Sequence, residues 1–387
     1  MDTLLAMIYL DHNATTAVDP EVLTAMLPWF TERPGNAGSA HALGHLSEAA
    51  VNRAREQVAT LLGCAPAELV FTSGATEALN HAVRGVVEAF PAKRHVVISA
   101  VEHPAVQALA AWLPSQGVEV SVAPVDAEGR LDLDALDALI RPDTALVAVM
   151  AANNETGVLN PLDEVGTRVH AKGSLLLVDA TQAVGKVPVS VAQGPADLLC
   201  LSGHKFHGPK GVGALYLRRG LRLKPLLLGG GQERGRRGGT ENVPGLVGLG
   251  AAAALATERL GYMTCVAELR DHLEATLLAA VPRMKVLGQG APRLPNTSLL
   301  AFEGVEGEAL LLKLDRAGIC VSTGSACSTG HKEPSHVLRA MGVDPAYAKG
   351  TLRVSLGRTT TAVEVETLED LLPGVVAELR GAGAFSR

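Results

Sequence analysis

Short and almost wholly apolar runs recur between residues 69 and 217: LVFT, HVVIS, VEVSV, ALVAVM, LLLVD, DLLCLS and GALYL. Each has the length of a strand rather than a helix, and most are followed by a stretch whose apolar positions repeat near the helical period. Strands that alternate with amphipathic helices predict a mostly parallel sheet of about seven strands, sandwiched by helices on both faces. The fold class is therefore α/β, with a large domain over 16–258. A smaller α/β domain is assigned to 1–15 together with 259–387.

Before the first of these runs, IYL reads as a short strand that breaks into a turn of Asp11, His12 and Asn13. DPEVLTAMLPWF predicts a helix with Asp19 as its N-cap and Pro20 in its first turn. The loop GNAGSAHALG follows, with His41 and His45 as candidates to face a cleft, and a long helix is predicted from His45 to Gly63. Past the last strand, the glycine-rich LLGGGQERGRRGGTENVPG reads as an exposed loop, of the kind that lies between subunits.

Composition narrows this picture. A chain of 387 residues exceeds one ordinary core, and 47% hydrophobic residues with only 3% aromatics make that core aliphatic. A formal charge of −6 speaks against direct nucleic-acid binding. Five cysteines form no CxxC spacing and are odd in number, which favours a reducing compartment over a disulfide framework. The apolar N-terminus shows no basic leader, cleavage site or span of membrane length, so a cytoplasmic protein is expected.

Candidate chemistry sits where the strands end. Lys205 follows DLLCLS in SGHKFHGPKGVG, at a strand-to-loop junction, where open α/β sheets place their active sites. A lysine there can lose its proton and attack a carbonyl, the covalent attachment used by pyridoxal phosphate. FTSGATEALN turns from a strand through Ser-Gly-Ala-Thr into a helix, so that backbone N–H groups and the Thr76 hydroxyl converge on an anion site. Asp179 ends the apolar LLLVD and suits a protonated pyridine nitrogen. His103 follows HVVIS, where an imidazole can stack on a flat ring and move protons, and Asn153 and Asn154 follow ALVAVM. Singly these have plainer readings as a solvated lysine, helix caps and a loop histidine. Other chemistries fit less well: SGHK is formally an SxxK without SDN and KTG partners, GHKFHGPK lacks the GK[ST] of a phosphate loop, and HKFH lacks further zinc ligands.

Taken together, YLDHNATT, FTSGATEA, EHPAV, NNETG, VDATQAVGK, SGHKFHGPKGVGALYLRRG, QERGRRGGTEN, GSACS and EPSHVLRAMG resemble the cysteine desulfurases of the NifS/IscS type, in family order over nearly the whole chain. These are fold-type I pyridoxal-phosphate enzymes of the class V aminotransferase family. The resemblance implies pyridoxal 5'-phosphate as cofactor, with Lys205 as the Schiff-base lysine, Asp179 at the pyridine nitrogen, His103 stacked on the ring and Gln182 at the ring oxygen. It implies phosphate contacts from Ala75, Thr76, Ser202 and His204, and from Thr240 to the cofactor of the other subunit of a homodimer. Asn154 and Arg353 would hold the carboxylate of L-cysteine. Cys327, among the small residues of STGSACSTG, would take the sulfur as a persulfide and pass it to an acceptor protein, whereas Cys320 in the apolar AGICVS reads as a core residue. The acceptor stays open between an iron–sulfur scaffold, a tRNA-thiolation carrier and a DNA-phosphorothioation system. A selenocysteine lyase or a class V aminotransferase of the same fold is the alternative, and no resident metal is implied.

Overall fold

The computed structural model describes residues 7–323 and 334–384. Seven strands form the central sheet: β2 (Leu69–Thr72), β3 (His95–Ser99), β4 (Glu119–Ala123), β5 (Thr144–Met150), β6 (Leu175–Asp179), β7 (Leu198–Ser202) and β8 (Gly213–Leu217). Their spatial order is β2-β8-β7-β6-β5-β3-β4, and β8 runs antiparallel to both β2 and β7 while the remaining pairs are parallel. These are the seven runs that the apolar pattern marks as strands. Inner strands such as β3, β5 and β7 are buried at every position because helices cover both faces, which is why they read as continuous apolar runs. The edge strand β4 keeps Glu119 exposed and is the most polar of the set.

One face of the sheet packs against the helices Ala42–Leu62 and Val243–Glu258, the other against Ala75–Ala89 and Pro104–Trp112. The first pair of helices touches backbone to backbone: a Cβ on Gly250 would lie 2.5 Å from the Ala54 Cα, so only glycine permits that crossing. A separate apolar cluster gathers Leu10 with residues from Val266 to Val376. It is built on an antiparallel sheet of β9 (Met284–Val286), β10 (Thr297–Phe302) and β12 (Thr351–Ser355), ordered β12-β10-β9. The N-terminal strand β1 (Ile8–Tyr9) joins this part of the molecule by pairing in parallel with β11 (Ile319–Cys320).

Four local expectations are corrected. DPEVLTAMLPWF is two helices, Pro20–Met26 and Pro28–Thr31, because Pro28 has no N–H to continue the first ladder. The long helix starts earlier, at Ala42, where the His41 ring accepts a hydrogen bond from the Gly44 N–H. His41 is thus a cap, and His45 is an exposed residue beside Glu48, neither in a cleft. The glycine-rich segment is exposed at Leu228 yet pinned at its centre, where the buried Glu233 accepts hydrogen bonds from both terminal nitrogens of Arg55 and from the Phe71 N–H. Among the described residues no helix is long and apolar enough to cross a membrane.

Candidate active site

The carboxyl ends of the parallel strands open on a cavity of about 560 Å³. Its walls include Ala75, Thr76, His103, Asn154, Asp179, Gln182, Ser202, His204, Lys205 and Arg353, brought together from five strand ends and the separate β12. Thr240 is exposed and is not part of this wall. Cys327 lies outside the described residues.

Strand β7 stops at Ser202 and the chain makes a single 3-10 turn, Gly203–Lys205, which turns the lysine back over the strand end. That turn is clamped on the N-terminal segment: Thr16 donates to the His204 carbonyl, His207 N–H donates to the Thr16 hydroxyl, and Asp19 N–H donates to the His207 carbonyl. His207 takes a left-handed φ of 66° to close the clamp. Lys205 Nζ donates to the Asn13 carbonyl at 2.6 Å and the Ala14 carbonyl at 2.9 Å, so the amine is held at the cavity wall. His204 bonds the Thr15 hydroxyl at 3.1 Å; burial first, then the charges of Lys205 and Lys210, push its imidazole down to about 4. It is neutral at neutral pH and acts through hydrogen bonds rather than charge.

Beside the lysine, β2 passes through Gly74 into the helix Ala75–Ala89, leaving the first-turn N–H groups of Ala75 and Thr76 at the cavity. Gly74 adopts φ 152°, and the start of β8 lies so near that a Cβ on Gly213 would come within 2.7 Å of the Gly74 Cα. Two glycines in contact let the turn sit flush beside Ser202. Arg237 and the Ser73 N–H bind Glu77, which turns this first-turn carboxylate toward an ion pair of its own. The anion site thus keeps its N–H groups and the Ser202 hydroxyl.

Asp179 is opposite this site. Its Oδ1 accepts from the Thr181 N–H at 2.9 Å and from the Cys200 thiol at 3.4 Å, and among the described residues no partner occupies Oδ2. Cys200 faces Asp179 directly in the β6–β7 ladder, and burial, reinforced by the Asp179 charge, keeps its thiol protonated. Nothing in the apolar run DLLCLS marks Cys200 as part of a site; only the strand register reveals the contact. His103 caps the helix Pro104–Trp112, its Nδ1 accepting from the Ala105 N–H at 3.1 Å. That bond leaves the proton of the neutral ring on Nε2. Burial lowers the imidazole's proton affinity; Asp179 opposes this, and Lys205 and His336 add to it.

The far wall is a polar network. Arg353 donates to the Asn154 carbonyl at 3.0 Å and to Asp11 at 2.7 Å, while its buried Nε has no partner among the described residues. Among the described residues each terminal nitrogen therefore keeps one further N–H. Asn154 serves here through its backbone, and its neighbour Asn153 is structural, accepting from the Glu155 and Thr156 N–H groups. Glu155 is buried, accepts from Ser335 at 2.7 Å, and is pushed up to about 7 by burial against the opposing pull of Ser335 and Arg353. Asn13, which sequence reasoning quoted without a role, binds Lys186, Asn296, Thr297, Gln182 and Lys205.

Comparison with known proteins now adds to this geometry. Residues 8–368 match the family model described as aminotransferase class-V. A cysteine desulfurase of Trichormus azollae is 50% identical over 384 residues, covering 98% of this chain and 96% of that one. The chain belongs to the class-V aminotransferase family. A solved NifS-like protein superposes with a TM-score of 0.91 at 39% identity, over 96% of this chain and 100% of the other. A second, described as SspA in complex with cysteine, gives 0.79 at 32% identity over 91% and 99%.

Members of the family depend on pyridoxal 5'-phosphate, and the donor set here fits that group. An amine stands at one wall, a carboxylate with a free oxygen at a second, and helix N–H groups with a serine hydroxyl at a third. Among the described residues no cluster of histidine, cysteine, aspartate and glutamate forms a metal site.

Proposed function

We propose that the protein is a pyridoxal-phosphate-dependent cysteine desulfurase, converting L-cysteine to L-alanine and leaving the sulfur as a persulfide on Cys327. The observation that supports it is the meeting of Lys205, Asp179, the Ala75–Thr76 helix start and Arg353 on one cavity. When bound, the cofactor supplies an electron sink for the substrate Cα. Lys205 Nζ would take the α-proton. Asp179 Oδ2 would hold a proton on the ring nitrogen, and the Ala75 and Thr76 N–H groups with Ser202 and His204 would hold the phosphate. His103 would stack on the ring and, with its proton on Nε2, would serve as the acid/base helper. The free donors of Arg353 hold the substrate carboxylate, the Asn154 backbone fixing the guanidinium. Overall, the substrate C–S bond breaks, an S–S bond forms on Cys327, and a proton replaces sulfur on carbon. The persulfide then goes to an acceptor protein.

Division into 16–258 and 1–15 with 259–387 is supported by the cluster that gathers Leu10 with residues from Val266 to Val376, while Leu294 packs with the first part and Val337 and Met341 pack with Val101 and Met150 between the two. A homodimer, with Thr240 reaching the partner's phosphate, is supported by the apolar side chains of Leu23, Leu27 and Phe30, carried by two successive short helices and the residue between them and 46, 55 and 60% exposed.

Substituting Cys327 tests the reaction. In Cys327→Ser, L-cysteine should still change the visible spectrum, while alanine release and persulfide formation both stop, because a hydroxyl is a far weaker nucleophile. Alanine formed at the native rate would overturn the assignment.

A further inference from the structure

Lys186 is a second buried lysine beside the site, and the reaction as proposed makes no use of it. It follows Gln182 by four residues in the short helical turn that leaves β6, where Val184 and Val187 N–H groups bond the carbonyls of Ala180 and Ala183. That spacing places both side chains on one face. Lys186 Nζ donates to Gln182 Oε1 at 2.5 Å and to Asn13 Oδ1 at 2.8 Å. Burial above all, and then the charges of Lys205 and Arg353, lower its proton affinity, and the repulsion between the two lysines is mutual. Burial above all lowers the proton affinity of His12 and His207, which also sense Lys186.

The two acceptors of Lys186 are not equivalent. Asn13 Oδ1 has a second donor in Asn296 Nδ2 at 3.1 Å, whereas among the described residues Gln182 Oε1 is served by Lys186 alone. As an ammonium, the form its two carbonyl acceptors favour against burial, Lys186 disfavours the opposite amide flip, which would set donor against donor. With Oε1 bound to Lys186, Gln182 Nε2 points to the other side, where it donates to the Asn13 carbonyl at 2.9 Å. The same carbonyl accepts Lys205 Nζ, so Nε2 lies next to the lysine and has one N–H left for the cavity.

We propose that Lys186 is a positioning residue of the cofactor site, holding the Gln182 amide so that an N–H rather than a carbonyl faces the group joined to Lys205. This rests on the pyridoxal-phosphate reading above. A donor there favours the ionised form of the cofactor's ring hydroxyl. Without Lys186 only the bond to the Asn13 carbonyl holds the amide in that flip, and the carbonyl can turn inward more readily.

The test compares Lys186→Met, Gln182→Met and the double variant in the full chain. Each apoprotein is titrated with pyridoxal 5'-phosphate, and the visible absorbance of each holoprotein is followed over pH. Lys186→Met should weaken cofactor binding about tenfold, the weight of one charge-assisted hydrogen bond, and raise the pH midpoint of the absorbance change. Gln182→Met should do likewise. The double variant should bind within about twofold of Gln182→Met, because Lys186 acts through the glutamine. Additive losses in affinity, or an unchanged midpoint and affinity in Lys186→Met, would overturn the proposal. Should that variant not fold, Lys186→Gln, which keeps a donor but no charge, is read in its place and should retain more of the affinity than Gln182→Met. Equal losses in these two would overturn it as well. Native protein that does not bind pyridoxal 5'-phosphate would instead sink the cofactor reading itself.

Discussion

The two walls of the cavity are built on different principles. On one side Asp179, Ser202, Lys205 and the Gly74–Thr76 turn are carried by ends of adjacent strands, so the sheet ladder itself sets their spacing. On the other, Asp11, Asn13, Asn154, Gln182, Lys186 and Arg353 are held by one another through side-chain hydrogen bonds. A scaffold of strand ends tolerates loss of a side chain without losing its shape. A mutual polar network transmits each loss to its neighbours.

Four substitutions probe that contrast. The largest effect is expected at Lys205, where Lys205→Ala should fold, remain colourless with cofactor after borohydride and dialysis, and lose turnover by about 10⁴-fold. Cofactor fixed covalently to the alanine variant, read by mass spectrometry, would refute the role of this residue. Asp179→Asn, nearly isosteric on the same wall, should keep its melting temperature and lose about 10³-fold in turnover. A native rate would make the carboxylate only a cap for Thr181.

The network wall should answer in stability and affinity. Glu155 is raised from 4.5 to about 7 in the folded chain, so the folded state binds the proton more tightly than the unfolded one. Its contribution is full below about pH 4.5 and is lost as pH rises through 7, which amounts to about 3 kcal/mol. Urea unfolding of the native protein should therefore show stability falling from pH 5 to 8 more steeply than in Glu155→Gln. Parallel slopes would show that the carboxyl does not titrate in this range. Arg353→Lys keeps the charge but loses the planar fork that binds Asn154 and Asp11 together, and should raise the KM for L-cysteine about 30-fold with little change in the cofactor spectrum. A KM unchanged within twofold would place the substrate carboxylate elsewhere.

The same contrast explains what could be read without coordinates. All seven strands of the main sheet and the residues at their ends follow from local pattern, because an apolar run that stops at a polar cluster marks both strand and site. The network wall was only partly legible. Asn154 stands out at a strand end, but its role, like Arg353 altogether, came from family resemblance, while the partners of this wall are remote: Asp11 is 342 residues from Arg353, and Asn13 is 173 from Lys186. Cys200 was missed for a related reason, since its contact with Asp179 depends on strand register, which composition does not carry. Glu233 was read as part of a loop because glycines surround it, and its ion pair with Arg55 has no local signature.

That ion pair also orders events in time. Arg55 and Glu233 are 178 residues apart, and Glu233 further needs the Phe71 N–H at the heart of β2. Glu233 and Arg234 both adopt left-handed φ, of 50° and 59°, which costs about 1 kcal/mol each and is not sustained in an isolated peptide. Closing so long a loop is entropically unfavourable until the long helix and the first sheet strand are in place. The arm that carries Thr240 therefore sets late in folding, and it takes its shape from a finished subunit rather than from its own sequence.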